Sequence, residues 1–177
     1  EEVAAAAPEK EEESVPKVAL RICLTGGGSA VPDRHQQPTM GGNFGAEVQI
    51  GSRNLMNKRV FVGGSIGYSG IFAGQTYSLI PLKAIASVPL TDGRHAPEVG
   101  MNIGYAFGTG PVRGGLTGGA EVSWRYQINQ KLAFLLGVHA RFTQVTIPVE
   151  EIVNTQIYIN NVGRTIVCFG LTSAIQF

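Results

Sequence analysis

The chain closes on Arg164-Thr165-Ile166-Val167-Cys168-Phe169-Gly170-Leu171-Thr172-Ser173-Ala174-Ile175-Gln176-Phe177. Its odd positions are Thr165, Val167, Phe169, Leu171, Ser173, Ile175 and Phe177; its even positions include Arg164, Gly170, Thr172, Ala174 and Gln176. Apolar residues that recur at every second position mark a strand with two unlike faces, because successive side chains of an extended chain point to opposite sides.

The same period runs backwards through the sequence. Lys131–Gln144 sets Leu132, Phe134, Leu136, Val138, Ala140 and Phe142 against Gly137, His139, Arg141 and Thr143. Leu116–Ile128 sets Leu116, Ala120, Val122, Trp124, Tyr126 and Ile128 against Thr117, Gly119, Glu121, Ser123, Arg125 and Gln127. Glu98–Gly108, Arg59–Phe72, Asn43–Arg53 and Val18–Gly27 follow the same rule. Tyr77–Leu90 follows it through Ile80, Leu82, Ala84, Ala86, Val88 and Leu90, although Pro81 and Pro89 interrupt the run. The reading is eight strands in an all-β body over residues 18–177. Compact connections fall after the second, fourth and sixth strands, the fourth with the hairpin pair Asp92-Gly93. Long ones fall after the first, 28–42, and the seventh, 145–163. Short turns at one end and longer loops at the other describe an antiparallel up-and-down transmembrane β-barrel.

Composition decides which face is outside. Gly makes up 24 of 177 residues, about twice ordinary usage, and charged residues only 15%. The charge is also uneven: residues 1–17 hold six Glu against two Lys, whereas the body holds twelve basic against seven acidic groups. A water-facing surface needs long charged side chains, but the polar face here is mostly Gly, Ala, Ser and Thr. A narrow eight-stranded lumen needs just such small residues. The apolar face is aromatic at both ends. Tyr68, Phe72, Tyr77, Tyr105, Phe107 and Phe142 are expected toward the long loops, and Trp124, Tyr126, Phe134 and Phe177 toward the short turns, as two interfacial belts. No apolar run is long enough for a transmembrane helix. The first seventeen residues, low in complexity and acidic, read as a disordered arm.

Phe177, with Ile175, Leu171 and Phe169 alternating before it, resembles the C-terminal signature of bacterial outer-membrane barrels. Tyr77-Ser78-Leu79-Ile80-Pro81-Leu82 resembles a strand of the outer-membrane protein beta-barrel domain family, and the whole plan is similar to the small eight-stranded barrels of outer-membrane proteins A and X. The resemblance implies residence in the bacterial outer membrane with periplasmic termini, a signal peptide removed on export, and an assembly signal made of Phe169, Leu171, Ile175 and Phe177. It also implies outer-membrane lipid and the barrel assembly machinery as partners, with an extracellular partner reached through the long loops. A monomer is expected.

The polar face collects Arg21, Glu47, Lys83, Glu98, Glu121, Arg125, His139 and Arg141. Charges in a lumen of low dielectric must be paired. Pairing strands six and seven across Asn129-Gln130 sets Glu121 near His139 with Arg141 diagonal, and strands one and two bring Arg21 near Glu47. Such a network either fills the barrel or gates a narrow ion path. Cys23 and Cys168 share the lumen face of the first and last strands, which become neighbours only on closure; a cross-strand disulfide and two buried thiols are the alternatives. No CxxC or metal-ligand spacing exists, so neither metal nor cofactor is expected.

Enzyme patterns fail. Lipid A deacylases carry His-x-Ser on a late strand, but His139 is followed by Ala140 and Arg141. The Asp-Ser pair of the acyltransferases is missing, since Arg34 follows Asp33 and Gly93 follows Asp92. Ser29, Asp33 and His35 gather in the first long loop without a defining arrangement. No catalytic residue is assigned. The basic residues form no stripe, so nucleic acid is not expected. Thr143–Val149 and Gln156–Val162, rich in Val, Ile and Thr, read as extensions of strands seven and eight beyond the membrane, whose edge invites strand addition. The function that follows is structural support or surface adhesion by a barrel whose lumen is plugged with polar side chains; a narrow ion-conducting channel is the alternative, and a lipid A-modifying enzyme the third reading.

Overall fold

Each alternating segment becomes a strand: β1 Val18–Val31, β2 Thr39–Leu55, β3 Val60–Ala73, β4 Gln75–Pro89, β5 His95–Gly108, β6 Gly115–Gln127, β7 Ala133–Val153 and β8 Gln156–Gln176. This is a computed structural model, and it describes residues 18–32, 38–55, 60–129, 131–153 and 156–177. The acidic arm expected over residues 1–17 lies outside the described residues, as do Asp33, His35 and Gln130.

Every strand pairs antiparallel with its neighbour in sequence, and β1 also pairs with β8, so the sheet closes in the order β1 to β8. Closure leaves no open edge around the barrel wall, the condition under which strands can cross hydrocarbon. The expected contrast between short turns and long loops is corrected: much of 28–42 and most of 145–163 is strand, because β1, β2, β7 and β8 continue past the expected ends. At the short-turn end, Asn129 Oδ1 accepts hydrogen bonds from the Lys131 and Leu132 amides, at 2.9 and 2.8 Å, and Gly93 turns with φ +136°. At the other end β3 and β4 are joined by the single residue Gly74, with φ +74°, while β7 and β8 run far past the remaining strands.

The apolar face points out. Leu171 is 65% exposed, Met101 69% and Val18 66%, with Ile22, Leu24, Ile50, Ile103, Val122 and Val138 also exposed. A continuous apolar exterior of this kind is a surface made for lipid, not water. Aromatic groups cluster on it: Phe44 with Tyr68 and Phe72, Tyr105 with Phe107, and Trp124 and Tyr126 against His95. Tyr77 is the exception. It is fully buried, because it shares the parity of Leu79 and Lys83, which point inward; the belt loses one member and the lumen gains it.

The β1–β8 joint is made by residues of opposite size on its two sides. Inside, Gly27 pairs with Gly170, and a Cβ on either would run into the backbone of the other strand. Outside, Gly28 pairs with Phe169, whose ring lies where a Cβ of residue 28 would stand, 2.7 Å from Cζ. Beyond the ladder, Phe177 and Leu20 exchange two backbone hydrogen bonds of 2.8 and 3.1 Å.

Candidate functional site

The lumen is layered. Near the short turns Ala19, Phe61 and Ile85 pack together. Near the long loops a larger apolar cluster fills the mouth: Val31, Ile71, Tyr77, Leu79, Ile147 and Ile166, with Ala73, Ala106, Val112, Val145 and Cys168 completing it. Between these layers lie Arg21, Glu47, Lys83, Glu98 and Arg141. The expectation of a lumen plugged by polar side chains therefore holds for the middle layer and is corrected at the mouth. The inward-facing parity carries Tyr77, Leu79, Val145, Ile147 and Ile166 there, and an apolar side chain surrounded by others needs no partner.

Among the described residues, two ion-pair groups stand in the polar layer. Glu47 Oε1 on β2 accepts a hydrogen bond from Lys83 Nζ on β4 at 2.6 Å and forms an ion pair with Arg141 Nη2 on β7 at 3.1 Å. Arg21 on β1 gathers the second group. Its Nη2 is 2.8 Å from Glu98 Oε1, its Nε donates to Gln176 Oε1 at 2.8 Å, its Nη1 donates to Ser87 Oγ at 3.1 Å, and its guanidinium stands 4.1 Å from the centre of the Phe61 ring. Ser87 Oγ in turn donates to Glu98 Oε1 at 2.6 Å. One planar cation thus ties β1 to β3, β4, β5 and β8, a use that suits arginine's fan of fixed donors.

The expected pairing of Arg21 with Glu47 is corrected. In the β1–β2 register Arg21 faces Gln49 and Glu47 faces Cys23, so both charges reach across the lumen instead of along the sheet. Glu121 does face His139, with Arg141 two pairs further along, but Arg141 turns to Glu47. Glu121 forms no hydrogen bond or ion pair among the described residues. Arg125 is fully buried toward the short-turn end, away from the Glu47 group.

The disulfide expectation is also corrected: both thiols are free. Across the β1–β8 ladder Cys23 faces Ala174, whereas Cys168 faces Ser29. Six residues of strand separate the two rungs, roughly 20 Å, against a span of about 4.4–6.8 Å between the Cα atoms of a disulfide. Strand adjacency was right, and the register forbids the bond. Ser29 belongs to the wall as well: it is buried, and its Oγ contacts the Gly42 and Phe72 carbonyls at 3.1 and 3.3 Å, where it donates.

Sequence reasoning missed Phe61, Ser87 and Gln176, the neighbours of Arg21. Phe61 was readable from parity, as a lone aromatic on the small-residue face of β3. Ser87 and Gln176 become visible only when distant strands are brought across the lumen. Water-sized cavities of about 30 and 20 Å³ lie in the polar layer among the described residues, and both are lined by Cys23, Gln49, Asn102 and Glu121. Glu98 Oε2 and Asn102 Oδ1 are buried without protein partners among the described residues and line the larger of these cavities.

A closed eight-stranded wall, an apolar exterior and a charged interior are now in place, and solved structures with that plan can be compared. The chain is similar to Neisserial surface protein A (NspA), at 12% identity over 93% of this chain and 98% of that chain, with a TM-score of 0.53. Its fold is that of the eight-stranded outer-membrane β-barrels. A second solved structure, the outer membrane protein OprG from Pseudomonas aeruginosa, aligns at 11% identity over 89% of this chain and 95% of that chain, with a TM-score of 0.40. No protein-family model and no curated protein matches the chain. For a barrel of this fold, the arrangement of the lumen has a chemical consequence: the ion pairs hold the wall together from inside, and the apolar mouth separates them from the long-loop side.

Proposed function

We propose that this barrel resides in a bacterial outer membrane with its termini and short turns in the periplasm, and that it acts outside the bilayer as a surface adhesion or interaction element. The observation that carries this reading is the β7–β8 hairpin. The last β1–β8 rung is Ala30 with Val167, yet β7 and β8 stay paired from Thr143 and Ile166 up to Val153 and Gln156. The stretch beyond Ile147 continues for roughly 20 Å along the strand. It is a two-stranded ribbon with exposed Val149, Tyr158, Ile159 and Val162. Exposed apolar groups on an open edge favour strand addition by an extended partner. Phe169, Leu171, Ile175 and Phe177, all exposed on β8 and at its end, supply the signal for the assembly machinery, and the barrel is a monomer in lipid. No catalytic role belongs to this reading.

The test is a chain in which residues 148–161 are replaced by a short turn, displayed on cells beside the full chain. The expected result is an unchanged heat-dependent gel shift with loss of autoaggregation and of retention on protein-coated plates. Equal retention by both chains would remove the hairpin from the function.

A second reading, a narrow ion path, is favoured by the two cavities that share Glu121. Planar-bilayer recordings of the Glu47→Lys/Lys83→Glu swap address it. A changed conductance supports a gate, and conductance equal to the parent's excludes one.

A further inference from the structure

The connection between β5 and β6 is short, yet it is fastened on both sides. At its start the Thr109 amide and Oγ1 both donate to the Ser78 carbonyl on β4, at 3.0 and 3.1 Å. At its end Arg113 and Thr146 on β7 exchange two backbone hydrogen bonds of 2.8 Å each. Between these anchors Gly110 adopts φ +67°, and Val112 drops into the mouth, 8% exposed, among Val31, Tyr77, Ile147 and Ile166. Gly108 and Gly114 let the segment fold back: a Cβ on Gly108 would strike the Val112 carbonyl, and one on Gly114 the Ala106 carbonyl.

The segment therefore spans from β4 to β7 and puts an apolar side chain into the apolar layer, with the charged layer and its cavities below. We propose that Thr109–Gly114 is a strap that seals the outer mouth of the lumen, and that water and ions reach the charged layer from outside only when it lifts. The strap is held by few bonds at the rim of the sheet, where local opening costs far less than unfolding the barrel. It acts on the lumen and leaves the role of the β7–β8 hairpin untouched.

The chain carries its own reporters. Cys168 is a free thiol within the apolar mouth, and Cys23 is a free thiol lining both cavities beneath. The experiment uses the full chain folded in lipid vesicles, a charged maleimide that does not cross lipid, and peptide mapping by mass spectrometry. In the parent, Cys168 is expected to react about 100-fold slower than in the unfolded chain, because reaction waits for a local opening. Val112→Gly is expected to speed Cys168 by about tenfold or more, with Cys23 following. Val138→Ala on the lipid face is expected to change neither rate. A heat-dependent gel shift confirms that each variant is folded. Should Val112→Gly not fold, the pair Arg113→Cys/Thr146→Cys decides instead: oxidation clamps the strap and suppresses the residual labelling of Cys168, and reductant restores it. Parent Cys168 that reacts as fast as in the unfolded chain overturns the proposal. So does a folded Val112→Gly barrel with the parent's rate, or labelling indifferent to the clamp.

Discussion

Arg21 Nη2 and Glu98 Oε1 lie 2.8 Å apart across the lumen, joining the first strand to the fifth. Both side chains are almost wholly buried, and the same guanidinium reaches Gln176 on β8 and Ser87 on β4. Removing one partner strands the other's charge in a medium that cannot solvate it. Arg21→Met is expected to destabilise the barrel by about 3–5 kcal/mol. The double change Arg21→Met/Glu98→Met should recover much of that loss, since no lone charge remains. Urea unfolding in lipid vesicles measures both. A single variant as stable as the parent would show that the pair contributes nothing.

The Glu47 group is asymmetric. One carboxylate serves two cations, Lys83 at 2.6 Å and Arg141 at 3.1 Å. Glu47→Gln leaves both cations facing each other, whereas Lys83→Met leaves the Glu47–Arg141 pair intact. The first is therefore expected to cost about 3–5 kcal/mol and the second clearly less. Reversed order in the same unfolding assay would contradict this geometry.

The Gly27–Gly170 rung admits no side chain on the lumen side. Gly27→Leu should block closure, seen as loss of the fast-migrating folded band in unheated gels. Gly163→Ala is the matched control, because a Cβ there meets nothing within 4 Å, and it should fold as the parent does.

Leu171 tests which face meets lipid. It is 65% exposed and pairs with Val138, another exposed apolar residue. Leu171→Arg is expected to cost about 2–4 kcal/mol in a bilayer if this rung lies near its middle. An arginine on a water-facing wall would be harmless, so an unaffected variant would return the apolar face to the inside of a soluble barrel.

The free thiols yield a direct measurement. Alkylation of the unfolded chain should add two adducts whether or not reductant was present, because the register keeps Cys23 and Cys168 apart. A mass shift that appears only after reduction would overturn that register.

The strand number, the face turned to lipid and the small residues of the lumen wall could all be read from the chain itself. The reason is physical: an extended backbone sends neighbours to opposite sides, so the two environments of a barrel wall are written residue by residue along Leu116–Ile128 or Arg164–Phe177. The pairing of Glu121 with His139 was readable too, because a short turn fixes the register of the hairpin it closes. Contacts across the lumen were not. Whether Arg21 meets Glu47 or Glu98, and whether Cys23 can reach Cys168, depends on how far each strand slides past the next around a closed wall, and local periodicity is blind to that sum of offsets. Nor could the alternation of β5 and β6 reveal that their connection turns Val112 inward, since a loop has no period. The sequence by itself determined a barrel and its outside; only the tertiary structure, by closing β1 on β8, decided which charges meet within it and what shuts its mouth.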